Sequence, residues 1–202
     1  LLLQTTVENS AQGLCVFDSQ GQLLLYNQLW VELLEIPPDL AHPGTTLDQL
    51  LHWRASRGDY GPGPVDTIVA RHRSDIERAD ERLSERTLPG GRVLAIRGVV
   101  MPDGRRLTTY RDITAAKAAE QLLAQGAEII VGPLFGPSVA AVTPIARDRA
   151  VPVLAFSTEK SVAGNGAYLL SFLPQIEVRR VISYAAANGH RAFAALVPQT
   201  AY

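Results

Sequence analysis

Two tight-turn sequences in the first half of the chain constrain the fold more than any other feature. Pro89-Gly90-Gly91 and Pro102-Asp103-Gly104 separate three segments with the residue types of strands, at residues 81–88, 92–100 and 105–111. Short connections rich in glycine and proline favour hairpin turns, which join antiparallel neighbours. These residues are therefore predicted to form three consecutive strands of one antiparallel sheet.

The segments upstream add a further hairpin and three helices. The apolar run Gly13–Phe17 stops at the turn sequence DSQG, and a second strand candidate follows at Leu23–Tyr26. Helical spacing then relates Trp30, Leu33 and Leu34, and Pro37-Pro38 ends that helix. Two more helical stripes follow. Thr46 is predicted to cap the first, which comprises Leu47, Leu50 and Leu51. The second is longer and comprises Val65, Ile68, Val69, His72, Ile76 and Ala79.

The resulting order, β-β-α-α-α-β-β-β, predicts an α+β domain in which one antiparallel sheet carries helices on one face. The segments that best express this order are GLCVFDSQGQLLLYNQLWVELLEIPP, RASRGDYGPG and RTLPGGRVLAIRGVVMPDGRRLTTYRDITAAKAAE. They resemble the PAS domains of bacterial sensor histidine kinases and cyclic-dinucleotide signalling proteins. The resemblance implies a sensory input module in the cytoplasm, without catalytic activity, over residues 1–114.

The resemblance also implies an output. Asp112-Ile113-Thr114 is similar to the triplet that ends PAS domains and hands the last strand to a signalling helix, here expected at residues 115–126. Thr114 is predicted to cap that helix. PAS domains of this kind pair through terminal helices, so residues 1–7 and 115–123 are candidates for a homodimer contact. A kinase or cyclase domain would lie downstream, because no phospho-acceptor or ATP-binding motif occurs in this chain.

A small ligand is expected between the sheet and the helices. We predict that Tyr26, Asn27, Trp30, Trp53 and His72 line this pocket, although aromatic residues at such positions are also typical of a plain core. His52 and Arg54, which flank Trp53, are predicted to point to solvent. No cofactor is predicted from the residues themselves. Haem-binding PAS domains use a histidine on the corresponding helix, so the resemblance implies His72 as an axial ligand, with a core histidine as the alternative.

The second half of the chain follows a different pattern. Apolar strand candidates at residues 128–131, 151–156, 168–172 and 193–197 alternate with helices, which is typical of a parallel sheet. The segments GAEIIVGPLFGPSVAAVTPIARDRAVPVLAFSTEKSVAGNGAYLLSF and GHRAFAALVP resemble type I periplasmic binding proteins, most closely the penicillin-binding protein activators. Residues 127–202 are therefore expected to form an incomplete α/β lobe. Candidate ligand loops follow its strands, at Gly132, Pro133, Ser138, Ser157 and Thr158.

Composition excludes several classes of function. The formal net charge is −1, so no basic field would attract nucleic acid. A single cysteine excludes an internal disulfide and a cysteine-based zinc site, and no metal site is predicted. No apolar run reaches the length of a transmembrane helix.

The two resemblances imply different compartments, cytoplasm for the first half and periplasm for the second. Three functions stay open: a signalling input module, a periplasmic binding or activator protein, and a non-functional chimera formed by fusion or misassembly.

Overall fold

The computed structural model describes residues 2–78, 81–171 and 174–192. The chain divides into two compact units, one up to Lys117 and one from Ala118, so the boundary lies within a helix. The predicted strand at residues 193–197 and Ala79 of the long helical stripe lie outside the described residues.

The first unit contains a five-stranded antiparallel sheet with the strand order β2-β1-β5-β4-β3. The predicted order of two strands, three helices and three strands is confirmed, as is the α+β class. A further helix precedes it and another follows it. The elements are α1 Leu2–Glu8, β1 Gly13–Phe17, β2 Leu23–Tyr26, α2 Gln28–Leu34, α3 Leu47–Arg57, α4 Val65–Glu77, β3 Glu81–Thr87, β4 Val93–Val100, β5 Arg106–Asp112 and α5 Thr114–Ala124.

Both predicted turns of the last three strands are hairpins. The amide of Leu88 donates to the Arg92 carbonyl at 2.8 Å, and the amide of Met101 donates to the Arg105 carbonyl at 2.7 Å. β5 then pairs with β1, which joins the two hairpin systems into one sheet.

The core of the first unit lies between this sheet and the helices. Its fully buried members come from both layers, and include Cys15, Leu23, Trp30, Leu34 and Leu94. At one point the layers approach closely: a Cβ atom placed on Gly13 would lie 2.9 Å from the Cα atom of Trp30. Only a glycine allows β1 and α2 this separation.

Asn27 joins three segments at the start of α2. Its Oδ1 atom accepts hydrogen bonds from the amides of Trp30 at 3.0 Å and Leu14 at 2.9 Å. Its Nδ2 atom donates to the carbonyls of Gln12 at 2.8 Å and Val7 at 3.1 Å. Asn27 is completely buried with its hydrogen-bonding groups satisfied by the protein.

The last strand joins α5 through the predicted triplet, with one difference in roles. The helix begins at Thr114, so the carboxylate of Asp112 performs the capping and accepts from the Thr114 amide at 2.9 Å. The Thr114 hydroxyl instead accepts from the amide of Val93 in β4 at 2.9 Å. Ile113, buried between them, donates its amide to the Val93 carbonyl.

The second unit contains a small three-stranded parallel sheet of order β6-β7-β8. Its remaining elements are β6 Ile130–Val131, α6 Gly136–Arg147, β7 Val153–Ala155, a 3₁₀ helix Lys160–Val162, β8 Ala167–Leu169 and α7 Pro174–Ala187. The strands are shorter than predicted, and α6 packs against β7. The parallel pairing agrees with the sequence pattern, whereas the incomplete α/β lobe expected over residues 127–202 stays a prediction.

Apolar side chains of the second unit are widely exposed. The sequence suggests strands buried on both faces, but the structure covers alternate residues only, because Val131 and Tyr168 are exposed. Exposure continues along α7, at Ile176, Val178, Val181 and Tyr184. The described residues of this unit therefore leave much apolar surface in contact with water.

Candidate functional site

A cavity of about 90 Å³ lies between the sheet and helices of the first unit. One part of its wall is apolar and includes Phe17, Leu34, Ile36, Leu50 and Ile96. The other part is polar and cationic, and includes Arg54, Tyr60, His72, Arg82 and Arg86. The cavity is the position at which the sequence predicts a ligand.

A buried ion-pair network forms the wall beside α3. The Nε atom of Arg54 donates to Oδ2 of Asp59 at 2.9 Å, and Arg57 donates to both oxygens of that carboxylate at 2.7 and 2.8 Å. Burial of Asp59 favours its protonated form, but the hydrogen bonds from Arg57 and Arg54 outweigh this effect and lower the pKa of the carboxyl group. One carboxylate thus neutralises only one of two guanidinium groups.

Tyr60 organises the cationic side of the cavity. The Cζ atoms of Arg54 and Arg86 lie 5.1 and 4.4 Å from the centre of its ring, within the range of cation–π attraction. The imidazole of His72 packs on the same ring, with the two ring centres 4.0 Å apart. A single aromatic side chain therefore gathers two guanidinium groups and an imidazole.

Four buried side-chain nitrogen atoms in this cavity have no hydrogen-bond partner among the described residues. They are Nη2 of Arg54, Nε of Arg86, Nε2 of His72 and Nε1 of Trp30, and all four residues line the cavity. The Tyr110 hydroxyl faces the Trp30 indole but does not meet hydrogen-bond geometry. Buried donors are almost always paired in folded proteins, so this concentration indicates a place for an acceptor.

His72 is neutral at physiological pH in this setting. It is 7% exposed, and burial, followed by the positive charges of Arg86, Arg71 and Arg82, lowers its pKa to about 4. A neutral imidazole is the form that ligates metal, but nothing in the geometry favours haem over a smaller ligand. The haem prediction for His72 stays a prediction.

The predicted pocket residues occupy different environments. Trp30 and His72 line the cavity, whereas Tyr26, Asn27 and Trp53 do not. The Tyr26 hydroxyl donates to the Ala41 carbonyl at 2.5 Å. The guanidinium of Arg57 lies over the Trp53 ring, with its Cζ atom 4.3 Å from the ring centre. The structure gives these three residues structural contacts instead of a place in the cavity wall.

Arg54 is the main correction to the sequence-based picture. It is predicted to point to solvent, yet it is 7% exposed and lines the cavity. Its position continues the apolar stripe of α3, because Leu50, Leu51, Arg54 and Ala55 are the buried residues of that helix. The helical spacing therefore indicates a buried position for Arg54. Arginine is so rarely buried in proteins that its residue type favours a solvent-exposed position instead.

Four of the five candidate loop residues of the second unit follow the carboxyl ends of its strands. Gly132 and Pro133 follow β6, and Ser157 and Thr158 follow β7. The Ser157 hydroxyl is buried and accepts from the Glu159 amide at 3.1 Å, while Ser138 lies in the first turn of α6. These contacts are the ordinary ones of loops and caps, and ligand binding here stays a prediction.

Comparison with known proteins identifies the class that this fold and cavity define. A family model described as "PAS fold" matches residues 7–121, more than half of the chain. The chain therefore belongs to the PAS-fold family. No curated protein sequence matches it, and the family match ends before the second unit's sheet begins.

Several solved structures are similar to the chain at low identity. A domain of a sensory box histidine kinase/response regulator from Geobacter sulfurreducens is 20% identical, covers 55% of this chain and 91% of its own, and gives a TM-score of 0.35. The PAS domain of Bordetella pertussis BvgS is 16% identical, covers 61% of this chain and 93% of its own, and gives a TM-score of 0.42. The Cronobacter turicensis RpfR quorum-sensing receptor PAS domain in complex with C12:0 is 14% identical, covers 53% of this chain and 98% of its own, and gives a TM-score of 0.35. These similarities are too distant to indicate a function.

The described residues lack two further features. None of the helices there combines the length and the hydrophobicity needed to cross a bilayer. No group of three or more His, Cys, Asp or Glu side chains in the same part of the chain has the arrangement of a metal site.

Proposed function

We propose that the PAS-fold domain is a sensory input module that binds a small molecule in its central cavity and acts without catalysis. The observation that carries the proposal is the set of four buried nitrogen atoms without hydrogen-bond partners among the residues that the structure describes, all on residues that line this cavity. Leaving such groups unsatisfied costs about 1–3 kcal/mol each. A ligand that accepts hydrogen bonds from them would recover this free energy, and the cavity would thereby gain affinity for it.

The proposed route of output runs from the sheet to α5. Asp112, Ile113 and Thr114 connect the last strand to both the helix and the beginning of β4. A ligand that shifts β4 or β5 would therefore alter the start of α5. The proposed homodimer contacts, residues 1–7 and 115–123, include parts of α1 and α5, so a change in α5 would reach a partner copy.

The second unit supports a weaker proposal. Its parallel three-stranded sheet agrees with the resemblance of residues 127–202 to a type I periplasmic binding protein, and we retain that as an expectation about its origin. The proposed sensory function does not depend on it.

The test is a ligand screen by nuclear magnetic resonance on the 202-residue chain, with anionic, neutral and cationic metabolites. We expect at least one compound to shift the amide signals of Ile96 and Tyr110 at the cavity. The same compound should shift those of Ile113 and Thr114. A screen in which no compound affects the cavity would contradict binding, and cavity shifts without any at Ile113 and Thr114 would contradict the relay.

The relay has its own pair of variants. Thr114→Val removes the hydroxyl that accepts from Val93, and Thr114→Ser keeps it. With an identified ligand, we expect Thr114→Val to abolish the ligand-dependent change in hydrogen exchange along α5 while binding persists. Thr114→Ser should behave as the unaltered protein, and equal responses from both variants would refute the route.

A further inference from the structure

We infer that the ligand of the central cavity is a small monocarboxylate with an apolar body, such as an aromatic ring or a short branched chain, whose carboxylate contacts Arg54 and Arg86. This inference rests on the proposed function, because it names the ligand class of the same cavity. It depends on the charge of the wall, the positions of the free donors, the apolar remainder and the volume.

The charge of the wall selects an anion. Among the described residues that line the cavity, four are arginines and none is an aspartate or a glutamate. Asp59 lies behind the wall and is shared by Arg54 and Arg57. Arg86 makes no ion pair in the part of the chain that the structure describes, and contacts Asp59 only through its carbonyl, at 3.4 Å. Arg86 is half-buried, and a partly desolvated cation without a counter-ion favours binding of an anionic ligand.

The free donors fit a carboxylate. Arg54 Nη2 and Arg86 Nε, together with His72 Nε2 in the tautomer that carries the proton on this atom, belong to three side chains that contact one Tyr60 ring. A carboxylate offers two oxygen atoms with four acceptor positions, and guanidinium groups bind it with charge-assisted hydrogen bonds. Water would satisfy the same donors but would leave the charge of Arg86 unbalanced.

The remainder of the wall selects an apolar body of limited size. The rest of the lining is largely apolar, and includes Leu34, Ile36, Leu47, Leu50 and Ile96. The volume of about 90 Å³ restricts the apolar body to no more than a single ring or a short branched chain. Benzoate and short branched fatty acids are therefore suitable probes.

Three probes of nearly the same shape separate the effect of charge. Benzoate, benzamide and benzamidine share one ring and carry a negative, zero and positive charge, respectively. By isothermal titration calorimetry on the full chain, we expect benzoate to bind, benzamide to bind at least about tenfold more weakly, and benzamidine not to bind. Inorganic phosphate tests the apolar body, and we expect it to bind at least about tenfold more weakly than benzoate.

Two arginine variants locate the carboxylate. Arg86→Gln should weaken benzoate binding at least about tenfold, whereas Arg97→Gln on the neighbouring strand should leave it unchanged. Arg97 is exposed on the other face of the sheet, where it pairs with Glu81 at 2.8 Å. Arg54→Lys keeps the charge beside Asp59 but not the planar fork, and should also weaken binding. A thermal melt of each variant verifies folding, and Arg54→Lys decides the matter if Arg86→Gln does not fold.

Specific outcomes overturn the inference. Binding of benzamide or benzamidine as tight as that of benzoate would reject the anion, and would leave the proposed ligand-binding function intact. Failure of every probe to bind would reject the inference in favour of a water-filled cavity, and the wider metabolite screen then decides the proposed function separately. Unchanged benzoate affinity in both arginine variants would reject the assigned contacts.

Discussion

Asp59 is the residue on which the buried charges of the cavity depend. Its side chain is inaccessible to solvent and accepts from both Arg54 and Arg57. Arg57 also donates to the carbonyl of Leu34 at 2.6 Å, which ties the end of α2 to the end of α3. The carboxylate therefore holds together the loop after α3 and two helices.

We predict that Asp59→Ala lowers the free energy of unfolding by about 3–5 kcal/mol, because it leaves the Arg54 guanidinium buried without a counter-ion. Urea denaturation followed by circular dichroism measures the change. Asp66→Ala is the matched control. The Asp66 side chain is 97% exposed and faces His52 at 3.5 Å, so its loss should change stability by less than about 0.5 kcal/mol. Similar losses in the two variants would contradict the importance of the buried network.

His72 gives the domain a dependence on pH in a defined range. Its pKa falls to about 4 in the folded protein and is about 6.5 in an unfolded chain. Between these values the unfolded state binds the extra proton, so the free energy of unfolding decreases as the pH is lowered from 6.5 to 4. Asp59, whose pKa is also lowered in the fold, contributes a loss only below its ordinary value of about 3.9.

The test compares denaturation at pH 7 and pH 4.5 in two histidine variants. His72→Phe should show a smaller loss of stability on acidification than the unaltered chain, because the titrating group is gone. His42→Gln should retain the full loss, since His42 is exposed. Equal pH dependence in all three proteins would contradict the role of His72.

At the scale of elements, the contact between β1 and α2 sets how closely the helical layer approaches the sheet. The contact depends on Gly13, because any side chain at this position would overlap the backbone of Trp30. Asn27 fixes the same junction by hydrogen bonds to Leu14 and Gln12. Two small residues thereby position Trp30, which lines the cavity.

Gly13→Ala should destabilise the domain by about 1–3 kcal/mol, because the added methyl group would overlap backbone atoms that cannot move independently. Gly90→Ala is the control, since no heavy atom lies within 4 Å of the place that a Cβ atom would take in its turn. Thermal melts of the two variants measure the difference. A Gly13→Ala protein as stable as the Gly90→Ala protein would show that α2 can shift away from β1.

The elements were more predictable from sequence than the cavity. Hairpins are encoded locally, so Pro89-Gly90-Gly91 and Pro102-Asp103-Gly104 fixed the strands on either side. Trp30 and His72 followed from helical spacing. Arg54 was misplaced because its burial depends on Asp59 and Tyr60, and no local pattern shows that a charge has a partner in the next loop.

Asn27 shows a related limit. A polar residue after a strand is equally compatible with ligand binding and with capping, and its four hydrogen bonds come from segments up to 20 residues away. The role of Thr114 differed for the same reason, because its hydroxyl binds Val93 of a strand earlier in the chain. Long-range pairing decides such roles, and a single sequence does not display it.

At the scale of the whole molecule, the two units differ in how much apolar surface they cover. The first has a core of residues from both layers, with Leu23 and Leu94 fully buried. In the second, α7 exposes Val181 and Tyr184, and the strands of the parallel sheet are two or three residues long. The hydrophobic effect therefore stabilises the first unit far more than the second.

We predict that residues 1–117, produced alone, unfold in one cooperative transition, whereas residues 121–202 alone are aggregated or lack a cooperative transition. Differential scanning calorimetry and size-exclusion chromatography measure both properties. The first fragment serves as the control for expression and handling. A monomeric second fragment with a sharp calorimetric transition would contradict the prediction.

The positions of the tryptophans give the first unit its own optical signature. Both tryptophans of the chain, Trp30 and Trp53, belong to the first unit. Emission excited at the indole absorption edge therefore reports on that unit alone, without any engineered label. Trp30 forms part of the cavity wall and Trp53 lies under a guanidinium, so an occupant of the cavity should change the emission of one indole and leave the other as an internal reference.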